Sequence, residues 1–128
     1  MDILVTNNPL VQAQYQNEFK VEFLEKNLLE VMIYVRDQIH KGHNLLTHPL
    51  SGSVKPNETL YKSVLISEAA GSIDLQSLRI IEECISATQK FTVKQINEKY
   101  LHDLQLIDFT LIKPALSKHV GERAESRY

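Results

Sequence analysis

A single cysteine, Cys84, occurs in the 128 residues. One thiol excludes an intrachain disulfide framework, a C-x-x-C redox pair and a cysteine-rich zinc site. An excess of charge is also missing: 14 Lys and Arg stand against 16 Asp and Glu, a formal net charge of −2. That balance supplies no electrostatic reason to expect nucleic acid or an anionic membrane as partner. No apolar run approaches the roughly 18 residues that cross a bilayer. Residues 1–8 include Asp2 and only a short apolar run, so they do not read as a signal or transit peptide. The expectation is a cytoplasmic chain in a reducing compartment. The sequence holds no repeat, no G-x-G-x-x-G dinucleotide fingerprint, no G-x-x-x-x-G-K-[ST] phosphate loop and no G-x-S-x-G nucleophile elbow. No cofactor is expected.

What is present is an ordinary globular composition, 43% apolar and 23% charged. Strand-like and helix-like patterns alternate. Ile3–Thr6 is a short run suited to a strand covered on both faces. Asn8 and Pro9 then supply an N-cap and a first helical residue for a helix to about Asn17. Lys20–Leu24 is a second strand. Leu28, Val31, Met32, Val35 and Ile39 form one stripe of a helix that ends near Lys41, with Gly42 just past its end. Asn44–Thr47 and Ser63–Ser67 are the third and fourth strand candidates, and Asp74 caps a helix to about Lys90. Thr92 to Gln95 matches a capping box for a last helix, and Pro114 is expected to end it. Residues 106–112 are apolar enough to read as helix or strand. The expected fold is α/β: a small open three-layer sandwich with a mostly parallel, Rossmann-like sheet of four to five strands in order 2-1-3-4, and helices on both faces. Residues 1–113 form one domain, and 114–128 a polar, mobile tail.

Ligands of open parallel sheets bind outside the carboxyl ends of the strands. Two segments there carry candidate residues. One is Thr6, Asn7 and Asn8, which read either as an anion site at a helix start or as turn and cap. The other follows the third strand and spans about 15 residues without helical pattern, long for a compact domain. It offers His48, Ser51, Gly52, Ser53, Lys55, Asn57 and Glu58. Hydroxyls and backbone N–H groups around Gly52 suit an anion, with Lys55 as counter-charge; a structural Ω-loop explains the same residues. His48 and Ser51 to Asn57 should then converge on Thr6–Asn8. No metal is expected, since a strand separates His40 and His43 from His48 by roughly 13–16 Å, whereas zinc takes ligands at about 2 Å.

Leu4-Val5-Thr6-Asn7-Asn8-Pro9, His40-Lys41-Gly42-His43, the run from Leu46 to Thr59 and Tyr61-Lys62-Ser63 together resemble the GrdX family, small proteins encoded with glycine, sarcosine and betaine reductase systems. The resemblance implies a pathway context and carries over no activity or catalytic residue. It suggests a non-catalytic accessory protein that binds a small anionic ligand or a reductase subunit at the strand-end edge. The alternative is a small enzyme acting on a phosphorylated or carboxylated metabolite, with His48 as acid or base. Leu4 to Pro9 also looks like the opening of house-cleaning nucleoside triphosphate pyrophosphatases, with Thr6 and Asn8 matching their phosphate turn, but Val11 stands where those enzymes have lysine. Leu104, Leu106, Ile107, Phe109, Leu111 and Ile112 leave the last helix little polar face, which points to a homodimer built there.

Overall fold

The structure, a computed structural model, describes residues 1–50, 60–90 and 96–125, with side chains to Val120. Its elements are β1 (Ile3–Thr6), α1 (Pro9–Tyr15), β2 (Lys20–Phe23), α2 (Leu28–His40), β3 (Ser63–Ile66), α3 (Leu75–Gln89), a single 3-10 turn (Glu98–Tyr100) and α4 (Leu101–Glu125). Local chemistry explains the starts. The Asn8 side chain accepts the Leu10 N–H ahead of Pro9, Asn27 and Glu30 form a reciprocal capping box, and Asp74 accepts the Ser77 N–H. Past the end of α2, Gly42 has φ +103°, and a Cβ there would lie 2.0 Å from the Gly71 carbonyl oxygen, so no other residue fits.

The expected four- to five-stranded, mostly parallel Rossmann-like sheet is not what forms. The described sheet has three strands in order β2-β1-β3, and it is mixed. β1 and β2 are parallel, joined through α1, while β3 runs antiparallel to β1 from Ile3↔Ile66 to Thr6↔Ser63. The expected order 2-1-3-4 sets the 44–47 segment beside β1; instead β3 takes that place and leaves 44–47 on its own outer edge. There Leu46 and Ser67 donate backbone hydrogen bonds to Leu65 and Asn44, and Leu45 bridges Ile66. The ladder stops because the Leu65 N–H is taken by the Thr47 side chain at 3.0 Å rather than by a backbone carbonyl. The 44–47 segment is therefore a bridge and not a strand. Antiparallel neighbours need no helical crossover, which is why a strand following a long non-helical connection can insert this way.

Helices cover both faces, as expected. Ile3, Val5, Val64 and Ile66 pack with Val31, Met32, Val35 and Ile39 of α2 and Ile81, Cys84 and Ile85 of α3. Leu4 and Leu65 face the other way, onto Val11, Tyr15, Phe19 and the α4 residues Ile112 and Leu116. Residues 106–112 are helix, which settles the alternative left by their apolar run. Pro114, expected to end the helix, lies inside α4, which continues to Glu125, and Leu116 beyond it is fully buried. Proline costs the Thr110 carbonyl its intrahelical donor; both residues sit on the exposed side of α4, where water can take that bond. The Thr92–Gln95 capping box lies outside the described residues. Among the described residues no helix is long and apolar enough to cross a membrane.

Candidate functional site

The last register pair of β1 and β3 is Thr6↔Ser63, and both side chains are buried on the α4 side. Asp108 of α4, 3% exposed, reaches this strand end. Its Oδ1 accepts the Ser63 N–H at 3.1 Å, and its Oδ2 accepts the Ser63 hydroxyl at 2.7 Å and the Asn8 Nδ2 at 3.0 Å. The Ser63 proton is thereby spent. The 2.7 Å contact between the hydroxyls of Thr6 and Ser63 must then be donated by Thr6. Thr6 in turn accepts the Asn8 backbone N–H at 3.0 Å. The result is one directed chain, Asn8 N–H to Thr6 to Ser63 to the carboxylate.

Asn8 has no donor to spare. Its second Nδ2 hydrogen goes to the Gln105 carbonyl at 2.8 Å, and its Oδ1 caps α1. Asn7 ties three segments together: Nδ2 donates to the Lys26 carbonyl at 3.0 Å and the Leu60 carbonyl at 2.9 Å, and Oδ1 accepts the Lys62 N–H at 2.8 Å. Every side-chain N–H and O–H of Thr6, Asn7 and Asn8 is thus donated within the protein. His48 is exposed on the far side of β3 from β1, and its Nδ1 accepts the Leu50 N–H at 3.1 Å. The other predicted residues, Ser51, Gly52, Ser53, Lys55, Asn57 and Glu58, lie outside the described residues, and so does their expected convergence on Asn8.

Sequence reasoning missed two charged residues at this strand end. Asp108 is one; Lys62 is the other. Lys62 is only 7% exposed, and strand alternation sends its side chain to the face opposite Ser63, with Val64 and Ile66. Burial holds its amine below the usual lysine range, against the pull of Asp108 and Cys84, which favour the charge. Among the described residues Lys62 Nζ has no hydrogen-bond or ion-pair partner. Cys84 lies within its electrostatic reach; burial pushes the thiol up to about 11, against a smaller opposite effect of the Leu50 backbone, so it is a weak nucleophile. Both misses had a signal. Lys62 shares the two-residue period of Val64 and Ile66, and Asp108 shares the helical spacing of Ile112 and Leu116, so each is a charge written into an apolar face.

A pocket of about 390 Å³ opens at the same end, lined by Asn7, Leu60, Tyr61, the turn Glu25 to Asn27 that leads into α2, and Leu28 and Glu30 of its first turn. Lys26 pairs with Glu30 across its rim at 3.6 Å. A larger pocket, about 580 Å³, lies at the opposite end of the sheet between Phe19, Tyr34, His43 and Glu68; it contains none of the buried polar groups and has no part in the strand-end chemistry.

Comparison with known proteins places the chain in a family. The family model described as GrdX-like protein matches residues 3–117, most of the chain. No curated protein and no solved structure matches it.

Proposed function

The chain belongs to the GrdX-like family, and from that premise we propose that it is a non-catalytic, cytoplasmic accessory protein of a glycine reductase system that binds a small anion beside Lys62. Family membership is consistent with the accessory role. The observation that carries the binding reading is the Lys62 amine. It is buried next to the strand-end network, yet among the described residues it has no partner. A buried cation without a partner is costly, and proteins resolve that cost by losing the proton or by supplying a negative charge. A phosphate or carboxylate group supplies that charge. In this reading Lys62, rather than the Lys55 expected from the sequence, is the cation.

The test is thermal unfolding of wild type and Lys62→Met in inorganic phosphate or acetate, at constant ionic strength. A ligand at 100 times its dissociation constant adds about 2.7 kcal/mol, a rise of several degrees for a domain of this size. Wild type should gain that rise from at least one anion, and Lys62→Met should not. Equal responses of the two proteins, or none from wild type to either anion, would overturn the reading.

A further inference from the structure

The pocket of about 580 Å³ at the amino-terminal end of β1 and β2 lies apart from Lys62, and its lining is chemically selective. Ile3 and Val21 give it an apolar part. Its charges are already matched. The Met1 amino group meets the Glu68 carboxylate at 2.6 Å, and Lys20 pairs with Glu22 at 4.0 Å. An ion or a zwitterion would have to displace one of these pairs to gain a countercharge, whereas an uncharged molecule leaves both intact.

The uncharged polar groups of the lining are the ones left over. Tyr34 and Gln38 lie one turn apart on α2, both half-buried, and among the described residues neither side chain has a hydrogen-bond partner. Past the end of α2 the left-handed Gly42 turns the chain back, and the His43 N–H donates to the Gln38 carbonyl at 3.1 Å. His43 Nδ1 lies 2.7 Å from the Ser67 carbonyl oxygen, which only accepts, so that nitrogen carries a proton. The nitrogen that His43 has left is Nε2, an acceptor in the neutral imidazole. Burial and the nearby Glu22 hold the Tyr34 phenol above its usual range, so it stays a protonated donor. Gln38 offers a donor and an acceptor side by side. A phenol donor, a ring-nitrogen acceptor and a primary amide match a ligand edge on which a carbonyl and an N–H stand together. A flat ring carrying that edge also covers Ile3 and Val21. We propose that this pocket binds an uncharged lactam ring, as in the bases of uridine and inosine. Its volume lies in the range of about 300–1,000 Å³ that small-molecule sites occupy.

The test is amide NMR of the full chain titrated with uridine and with inosine. At least one of the two should give saturable shifts at Tyr34, Gln38 and His43. Uridine methylated on its ring N–H keeps the shape of the base and loses the donor, and it should bind roughly tenfold more weakly than uridine. Gln38→Leu should weaken binding about three- to tenfold with an unchanged circular dichroism spectrum. Lys62→Met should bind both nucleosides as wild type does, which separates this pocket from the anion site. No saturable shift with either nucleoside up to about 10 mM would overturn the proposal. So would a methylated uridine that binds as tightly as uridine, or a Gln38→Leu chain that binds like wild type.

Discussion

Lys62 stands just before β3 and Ser63 opens it, and a buried charge lies at each, the Lys62 amine and the Asp108 carboxylate that Ser63 meets, yet the two charges are treated in opposite ways. On the Ser63 side, Asp108 accepts three hydrogen bonds from Ser63 and Asn8. On the other face Lys62 is almost as buried, and the described residues offer its amine no bond. A carboxylate saturated by backbone and side-chain donors is an architectural joint; it locks α4 to β1 and β3 and leaves nothing for a ligand. An amine without a partner costs stability in the free protein. That contrast, among the described residues, is what motivates placing the proposed anion beside Lys62.

The contrast can be broken at its strong side first. Asp108→Ala should lose about 3–4 kcal/mol in urea unfolding, because three donors are left buried without an acceptor. Lys62→Met should do the reverse in anion-free buffer and gain about 1–2 kcal/mol, since an apolar side chain of similar length replaces a buried amine that no described residue pairs. An Asp108→Ala chain as stable as wild type, or a Lys62→Met chain less stable, would erase the distinction.

The gain from Lys62→Met should also depend on pH in a defined direction. The folded lysine titrates below its usual value near 10.5, so between the two pKa values the unfolded state binds more protons, and wild-type stability from this group rises with pH. The advantage of Lys62→Met should therefore be full at low pH and shrink as pH climbs toward 10.5. Cys84 acts with the opposite sign. Its thiol, raised to about 11 from 9.0 mainly by burial, makes stability fall as pH rises between those values; because Lys62 opposes that rise only weakly, most of the Cys84 effect is common to both proteins and the difference between them is dominated by Lys62. Unfolding curves from pH 7 to 10.5 check this; an advantage constant across that range would show that the charge is not its source. The smallest effect is expected at Thr6→Val, about 1 kcal/mol, because it removes the middle of the hydroxyl chain while Asp108 keeps its three donors.

Local chemistry in the sequence determined most of the elements of this protein. Asn8-Pro9, the Leu28–Ile39 stripe, Asp74 and Gly42 act within a turn or two of chain, so β1, α1, β2, α2, β3 and α3 were legible, as was the coverage of both sheet faces. The placement of Ser63–Ile66 beside β1 was not, because all the short apolar strands carry the same signal and nothing local says which of them will pair. Tertiary packing chose the strand that gives β1 its second neighbour and left Asn44–Thr47 on the edge, where a threonine hydroxyl took the place of a backbone carbonyl. Pro114 reads as a helix stop, but inward packing of Leu116 carried α4 through it. The candidate site divides along the same line. Asn8 was recognised as a cap from its own neighbours, whereas Asp108 acquired its meaning from partners 45 to 100 residues away, and Lys62 from having none among the described residues. Capping and periodicity are short-range properties of a chain; the saturation of a buried charge is a property of everything the fold brings around it.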